Sequence, residues 1–252
     1  MHLVVVPGIQ GRWEWLRPAL GQLSLRVPTS SYTLCGDFGG RCSLDPALGF
    51  DNYMRQLDDV LDRAPSSRVA LCGVSYGGLI ALRYAATRPD RVRALILASS
   101  PSPGWKPNPR QAGYIARPWV SVPSFLATVP GRLWPEIYAA FDGWRGRLSF
   151  CAAHMARVIA APANPALMGA RIKQVQQLNF FPDCAPVRMP TLVMSGEPAL
   201  DRVVPVEATR EYLSLIPGSK YSMIERTGHL GLLTRPECFA PIVADFLLEA
   251  GS

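Results

Sequence analysis

Residues 69–79 read VALCGVSYGGL and join a predicted strand to a predicted helix through a sharp turn. The apolar run at the start is typical of a buried strand, and the run LIALRYAA at 79–86 favours a helix. A serine at the apex of such a turn requires small residues two positions before and after it, because larger side chains would collide with the strand and the helix. Gly73 and Gly77 meet this requirement, so the stretch predicts a nucleophile elbow with Ser75 at its apex. Free N–H groups at the start of the helix favour negative charge there.

The sequence on both sides of the elbow alternates between short apolar runs and amphipathic segments. The apolar runs predict strands at Leu3–Val6, Ser31–Leu34, Arg68–Cys72, Val92–Ala98, Thr191–Ser195 and Tyr221–Glu225. Helical spacing of apolar residues predicts helices at Trp13–Leu23, Phe50–Ala64, Tyr76–Thr87, Val206–Leu215 and Pro236–Glu249. Alternating buried strands and amphipathic helices indicate an α/β fold with a mostly parallel central sheet, flanked by helices and joined by right-handed crossovers.

The strand pattern stops at Ser99 and resumes at Thr191. Residues 101–183 contain helical segments interrupted by proline, and they hold four of the six tryptophans. We therefore predict that 101–183 form a helical cap inserted into a core made of 1–100 and 184–252.

The composition indicates a globular chain, with 48% hydrophobic and 18% charged residues. No apolar run approaches the roughly 20 residues of a membrane span, and no leader precedes the first strand, so neither a span nor a signal peptide is expected. The net charge is +7, but the basic residues are scattered rather than clustered, which disfavours nucleic acid as a partner.

The six cysteines, at positions 35, 42, 72, 151, 184 and 238, form no Cys-x-x-Cys pair and no zinc-like spacing. We expect no metal and no cofactor. All six are predicted to be free thiols in a reducing cytoplasm, and a Cys35–Cys42 bridge is the alternative.

Ser75 requires a general base, and the chain has three histidines. His229 lies in RTGHLG at 226–231, in the loop after the last predicted strand. Parallel sheets bind ligands at the carboxyl ends of their strands, so this loop can reach the elbow. His2 at the N-terminus and His154 on a predicted helix of small residues fit the role less well.

The third residue must orient the imidazole. Asp201 follows the preceding predicted strand, and Glu197, closer to the strand end, is the competing acid; Asp201 could instead cap the next helix. The order Ser75, Asp201, His229 is the order associated with this elbow. Two backbone N–H groups should bind the developing oxyanion, those of Tyr76 and of Ile9 in the loop after the first strand. An ordinary turn at Pro7-Gly8-Ile9 is the alternative.

With these residues in place, the chain resembles the α/β-hydrolase superfamily, in the branch with a helical cap. The resemblance implies Ser75 as nucleophile, His229 as base, Asp201 as the orienting acid, and Ile9 and Tyr76 as oxyanion donors. It also implies about six strands, because the chain begins at what resembles the third strand of the full family sheet. The chain has Pro-Gly where many relatives have His-Gly, and its acid loop is longer than the usual Gly-x-x-Asp.

The resulting hypothesis is a serine hydrolase that cleaves a small-molecule carboxylic ester through an acyl-enzyme. The aromatic cap suggests an apolar or aromatic substrate group, although packing also explains aromatic residues. Alternatives on the same triad are a C–C (diketone) hydrolase, a lactonase and a perhydrolase; a non-catalytic small-molecule receptor is a further one. The candidate substrate contacts are Trp105, Trp119, Trp134, Tyr138 and Leu230.

Overall fold

The computed structural model describes residues 1–251, which form one sheet of six parallel strands flanked by helices. The strands are β1 (Leu3–Val6), β2 (Thr29–Ser31), β3 (Val69–Val74), β4 (Val92–Ala98), β5 (Thr191–Ser195) and β6 (Lys220–Met223). Their order across the sheet is β2-β1-β3-β4-β5-β6, and every neighbouring pair is parallel. The predicted α/β fold with a mostly parallel sheet of about six strands is confirmed.

The strands of the sheet interior are buried on both faces. All residues of β1 and β3 are buried, whereas the edge strands β2 and β6 carry polar residues that are partly exposed. Alternate residues of the interior strands pack into two separate apolar clusters, one on each face. Helices must cover both faces, as expected for a parallel sheet.

Twelve α-helices and two short 3₁₀ helices (Trp13–Leu16 and Pro89–Arg91) connect the strands in the described part of the chain. Before β5 they are α1 (Arg17–Ser24), α2 (Asp51–Asp62), α3 (Tyr76–Thr87), α4 (Pro109–Ala116), α5 (Val122–Ala140), α6 (Trp144–Ala160), α7 (Pro165–Gln176) and α8 (Phe181–Cys184). After β5 they are α9 (Val206–Arg210), α10 (Tyr212–Leu215), α11 (Gly231–Thr234) and α12 (Pro236–Gly251). Residues of α2, α3 and α8 pack on one face of the sheet, and residues of α1, α11 and α12 pack on the other.

Three predicted elements differ from the structure. The helix predicted over Trp13–Leu23 begins as a 3₁₀ helix at Trp13–Leu16 and continues as α1 from Arg17. The second strand lies at Thr29–Ser31 rather than at Ser31–Leu34. The chain leaves the sheet after Ser31, and the Leu34 N–H donates to the Gly11 carbonyl at 2.9 Å, in the loop after β1. The helix predicted over Val206–Leu215 is divided into α9 and α10 at Glu211.

The prediction of six free thiols is wrong. Cys35 and Cys42 form a disulfide with their Cα atoms 5.0 Å apart, and Cys72, Cys151, Cys184 and Cys238 are free. The connecting turn contains Gly36 with φ +84°, and its N–H donates to the Cys42 carbonyl at 3.1 Å. A left-handed glycine folds the chain back on itself and brings the two thiols together. The cysteine pattern therefore gives no support to a reducing compartment.

Helices α4 to α8 lie between β4 and β5, and the described residues of this segment contain no strand. We call residues 99–190 the helical insertion. None of the helices in residues 1–251 combines the length and the apolar character that crossing a bilayer requires.

The strand order places a crevice at the carboxyl ends of β1 and β3. These strands are neighbours, but the chain leaves β1 toward β2 and leaves β3 toward β4, in opposite directions across the sheet. Open α/β sheets bind ligands at this reversal of strand order. The loop after β1, which holds Ile9, and the turn after β3, which holds Ser75, both lie at these strand ends.

Candidate active site

Ser75 occupies a strained turn between β3 and α3. Its φ of 52° and ψ of −122° lie outside the regions that residues other than glycine normally adopt. Its N–H donates to the Ala98 carbonyl at 2.8 Å, which fixes the turn to the end of β4. A Cβ at Gly77 would lie 2.4 Å from the Val6 carbonyl oxygen, and one at Gly73 would lie 2.5 Å from the Gly77 oxygen. The two glycines are therefore required by the close approach of helix to sheet.

The structure brings Ser75, His229 and Asp201 into a continuous hydrogen-bonded chain. His229 Nε2 lies 3.2 Å from Ser75 Oγ, and His229 Nδ1 lies 3.2 Å from Asp201 Oδ2. The other carboxylate oxygen, Asp201 Oδ1, accepts the N–H groups of Val203 and Val204, each at 2.9 Å. The Asp201 side chain is 1% exposed, and the contacts of its two oxygens fix its position.

Asp201 and His229, the two ionisable groups of this hydrogen-bonded set, shift each other's pKa. Burial by itself would lower the pKa of His229, but the Asp201 carboxylate, and then the Glu136 carboxylate, outweigh burial and raise it above the ordinary value of 6.5. Burial would raise the pKa of Asp201, but His229 and the two backbone N–H groups lower it below its ordinary value. Asp201 is therefore ionised at neutral pH and stabilises a protonated imidazole.

Glu197, the competing acid, is bonded to backbone instead. Its Oε1 accepts the Arg226 N–H at 2.6 Å, in a turn where Arg226 has a φ of 62°. Its own N–H donates to the Thr227 carbonyl at 2.7 Å. Glu197 thus supports the loop that precedes His229, while Asp201 contacts the ring.

The loop after β1 passes directly beside Ser75. A Cβ at Gly8 would lie 3.6 Å from the Cβ of Ser75, and the Gly8 carbonyl accepts the Gly11 N–H at 2.9 Å in a tight turn around Ile9. Tyr76 is the first residue of α3, where backbone N–H groups lack partners within the helix. Gly8, the residue before Ile9, and Tyr76 thus both lie next to the serine.

Arg171, which no sequence pattern indicates, supports this loop from the helical insertion. Its guanidinium donates to the Ile9 carbonyl at 2.8 Å and to the Tyr53 hydroxyl at 3.2 Å, and it pairs with Asp37. The Arg171 and Asp37 side chains are each 1% exposed. A buried arginine from α7, paired with Asp37, therefore holds the Ile9 carbonyl and with it the loop after β1.

Glu136 of α5 is a second buried charge that the sequence does not indicate. Its residue is 1% exposed, and its Oε2 accepts the Leu230 N–H at 3.0 Å, one residue after His229. The Thr234 hydroxyl lies 3.5 Å from Oε1. In the sequence, Glu136 is distinguished only by being one of just three acidic side chains in residues 101–183.

The candidate substrate contacts differ in their exposure. Leu230 and Trp105 are half-buried, each against one of the two apolar clusters. Trp119, Trp134 and Tyr138 lie on the helical insertion and are 63%, 48% and 59% exposed.

The other two histidines have other neighbours. His2 Nε2 lies 2.8 Å from Ser30 Oγ at the edge of the sheet, and the ring of His154 packs on Trp15 and Phe150. Of the three histidines, His229 is the one that contacts Ser75.

A parallel sheet with a serine elbow and an acid and a histidine on later strand ends, in that chain order, is the architecture of the α/β hydrolases. A model of the alpha/beta hydrolase family matches residues 3–241, and the chain belongs to that family.

Named relatives agree with this membership. The chain is 28% identical to the pimeloyl-[acyl-carrier protein] methyl ester esterase of Aromatoleum aromaticum, with 92% of this chain and 91% of the relative covered. It is 26% identical to the poly(3-hydroxyalkanoate) depolymerase of Ectopseudomonas oleovorans, covering 98% and 84% of the two chains. Among solved structures, the enol-lactonase of Burkholderia xenovorans superimposes with a TM-score of 0.76 at 20% identity, covering 98% and 91%. The last similarity establishes a shared fold.

Proposed function

We propose that the protein is a serine hydrolase that cleaves carboxylic esters, with Ser75 as nucleophile, His229 as base and Asp201 as the orienting acid. The observation that carries the proposal is the unbroken chain of contacts from Ser75 Oγ through both imidazole nitrogens to Asp201. In this arrangement the carboxylate holds the proton on Nδ1, so that Nε2 presents a lone pair to the serine hydroxyl.

The reaction follows from that geometry. His229 Nε2 accepts the proton of Ser75 as Oγ bonds to the ester carbonyl carbon, and the carbonyl oxygen becomes an oxyanion. The N–H groups of Ile9 and Tyr76 donate to this oxyanion. His229 then gives its proton to the departing alcohol oxygen, which leaves an acyl group on Ser75. Water, deprotonated by His229, attacks the acyl carbon and releases the carboxylic acid while Ser75 regains its proton.

The preference for an ester rests on two of the relatives. One named relative is a methyl ester esterase, and another is a depolymerase of poly(3-hydroxyalkanoate). We propose that residues 101–183 form a cap over the site. Arg171 and Glu136 support this proposal because they reach from the insertion to both sides of Ser75.

An apolar acyl or alcohol group would contact the half-buried Leu230 and Trp105. Trp119, Trp134 and Tyr138, being exposed, would contact substrate only at the outer rim of the cap.

The test is the hydrolysis of p-nitrophenyl esters, from acetate to long acyl chains, by the wild type and by Ser75→Ala. We expect activity in the wild type, loss of activity in Ser75→Ala, and a chain-length optimum that reports the size of the cap pocket. Ser214→Ala is the matched control, since Ser214 is exposed on α10 and donates to the Glu211 carbonyl.

A fluorophosphonate probe separates the alternatives. No ester turnover with Ser75 still labelled would favour a C–C hydrolase or another acyl reaction on the same residues, or a receptor. Absence of labelling would refute a nucleophilic Ser75.

A further inference from the structure

Helix α5 of the insertion contacts the loops that carry both proposed partners of Ser75. The Gly131 carbonyl accepts from Arg202 Nη1 at 3.1 Å, beside Asp201. The Glu136 carboxylate accepts the Leu230 N–H at 3.0 Å, beside His229. Nearer the end of the helix, the Ala139 carbonyl accepts from Arg226 Nε at 2.8 Å, in the turn that precedes His229.

Two of these acceptors, the carbonyl groups of Gly131 and Ala139, lack their usual hydrogen-bond donor within α5. Pro135 lies inside the helix and has no N–H, so the carbonyl of Gly131, four residues earlier, lacks its usual helical donor. Ala139 lies in the last turn, where carbonyl groups also lack helical partners. Arg202 and Arg226 supply the missing donors from the acid loop and the histidine loop.

Glu136 differs from these two contacts because it brings a charge into the interior. Its residue is 1% exposed, the N–H groups of Leu230 and Gly228 donate to its carboxylate, and the Thr234 hydroxyl lies 3.5 Å from Oε1. A buried carboxylate with neutral donors is costly unless a positive charge forms nearby. The group that becomes positive during the proposed reaction is the imidazole of His229, adjacent to Leu230.

We propose that Glu136 is a positioning residue for His229: it fixes the histidine loop to α5 and places a second negative charge beside the imidazole. This inference rests on the proposed function. It makes the insertion part of the machinery that activates Ser75, since the charge that favours the imidazolium comes from a cap helix as well as from the core.

The charged groups around the imidazole define the expected pH dependence. Asp201 contacts the ring from the loop after β5, and Ser75 is the neutral partner from the elbow. Glu136 of α5 binds the backbone N–H of Leu230, the residue after His229. Both carboxylates raise the pKa of His229. Burial raises the pKa of Glu136 above its ordinary value and the Asp201 carboxylate adds to the rise, while the N–H groups of Leu230 and Gly228 and the charge of His229 limit it without cancelling it.

The base acts only when neutral, so activity rises as the pH passes upward through the pKa of His229. In the wild type, the midpoint of the acid limb of the pH–activity profile is therefore expected above pH 6.5, the ordinary pKa of a histidine. Removing the charge of Glu136 should lower that pKa and move the acid limb to lower pH.

The deciding variant is Glu136→Gln, which keeps the size and an amide oxygen for the Leu230 N–H but removes the charge. The first readout is the rate of Ser75 labelling by a fluorophosphonate probe from about pH 5 to pH 8, where histidine titrates. We expect the acid limb of Glu136→Gln to move down by about half to one pH unit.

The second readout is the NMR titration of the His229 ring, which is practicable because the chain has three histidines. It should show the same shift without requiring any turnover.

Two variants control the experiment. Glu249→Gln makes the same change at an exposed residue of α12 that pairs with Lys220, and its acid limb should coincide with that of the wild type. Glu136→Asp keeps the charge on a shorter side chain, so it should lower the plateau rate with little movement of the limb. If Glu136→Gln does not fold, Glu136→Asp still tests the inference. Because this variant keeps the negative charge, an acid limb displaced by about half a pH unit or more would contradict the charge argument.

The outcomes separate this inference from the proposed function. A lowered plateau in Glu136→Gln with an unmoved limb and an unmoved His229 titration would reduce Glu136 to a structural contact and overturn the inference. Failure of the probe to label the wild type would refute the proposed function. In that case the His229 titration decides the electrostatic inference: a lower pKa in Glu136→Gln supports it, and an unchanged one overturns it.

Discussion

Replacing Asp201 with asparagine changes one atom at the end of the contact chain. In the structure Oδ1 accepts two backbone N–H groups, from Val203 and Val204, and Oδ2 faces His229 Nδ1. An amide in this position must keep its oxygen on the two N–H groups, since an NH₂ group facing two donors would leave all three without acceptors. The NH₂ group of Asp201→Asn would therefore face Nδ1 of the ring.

That orientation reverses the tautomer of His229. Nδ1 becomes the acceptor, the ring proton moves to Nε2, and Nε2 can no longer take the proton of Ser75. The loss expected for a wrong tautomer with intact geometry is about 10³–10⁴-fold in kcat, which corresponds to about 4–5.5 kcal/mol of transition-state stabilisation. Stability should change less, because both backbone contacts of Oδ1 survive.

The assay is steady-state hydrolysis of the best p-nitrophenyl ester by Asp201→Asn, with urea unfolding to confirm the fold. Glu197→Gln is the comparison, since Glu197 bonds the Arg226 N–H and its amide oxygen can keep that bond. We expect Glu197→Gln to retain most of the activity. A near-normal rate for Asp201→Asn together with a crippled Glu197→Gln would refute the assignment of the acid.

Three further predictions concern the Arg171–Asp37 ion pair and the Cys35–Cys42 disulfide. Arg171→Met leaves the Asp37 carboxylate buried without its cation, which should cost about 3–5 kcal/mol and lower Tm by about 6–20 °C at ~2–4 °C per kcal/mol. Thermal unfolding measures this, and Arg171→Met combined with Asp37→Leu should recover most of it; no recovery would contradict the ion-pair argument. The disulfide predicts that a thiol reagent counts the four free cysteines in denatured, unreduced protein, and a count of six would contradict it. The double variant Cys35→Ser/Cys42→Ser should lose about 2 kcal/mol of unfolding free energy, given the short loop.

The elements around Ser75 were predictable because their signals are local. Strand β3 and helix α3 follow from an apolar run, an elbow glycine pattern and a helix-forming run that are contiguous in the chain. The juxtaposition of His229 with Ser75, 154 positions earlier, also follows, because the carboxyl ends of parallel strands share one edge of the sheet. Less regular segments were predicted less well. The second strand is displaced because Thr29–Ser31 is short and polar and carries no apolar pattern.

The thiol prediction failed for a different reason. The prediction of free thiols rested on the expectation of a reducing compartment. It did not take account of the turn after Cys35, where the left-handed Gly36 folds the chain back toward Cys42. Local backbone conformation decided the pairing, and a compartment argument carries no information about it.

The sequence by itself determined the family, the parallel sheet and the residues that meet at its carboxyl edge. The signals were the hydrophobic period, the elbow glycines and the order of Ser75, Asp201 and His229 along the chain. Only the tertiary structure decided which acid faces His229, and that Arg171 and Glu136 support the site from the insertion. Arg171 pairs with Asp37 across 134 positions and Glu136 bonds Leu230 across 94. Contacts made by single charged side chains at such separations leave no periodic pattern and no fixed spacing in the sequence. Such side chains are identified only when burial removes them from water and leaves a few partners within hydrogen-bond reach.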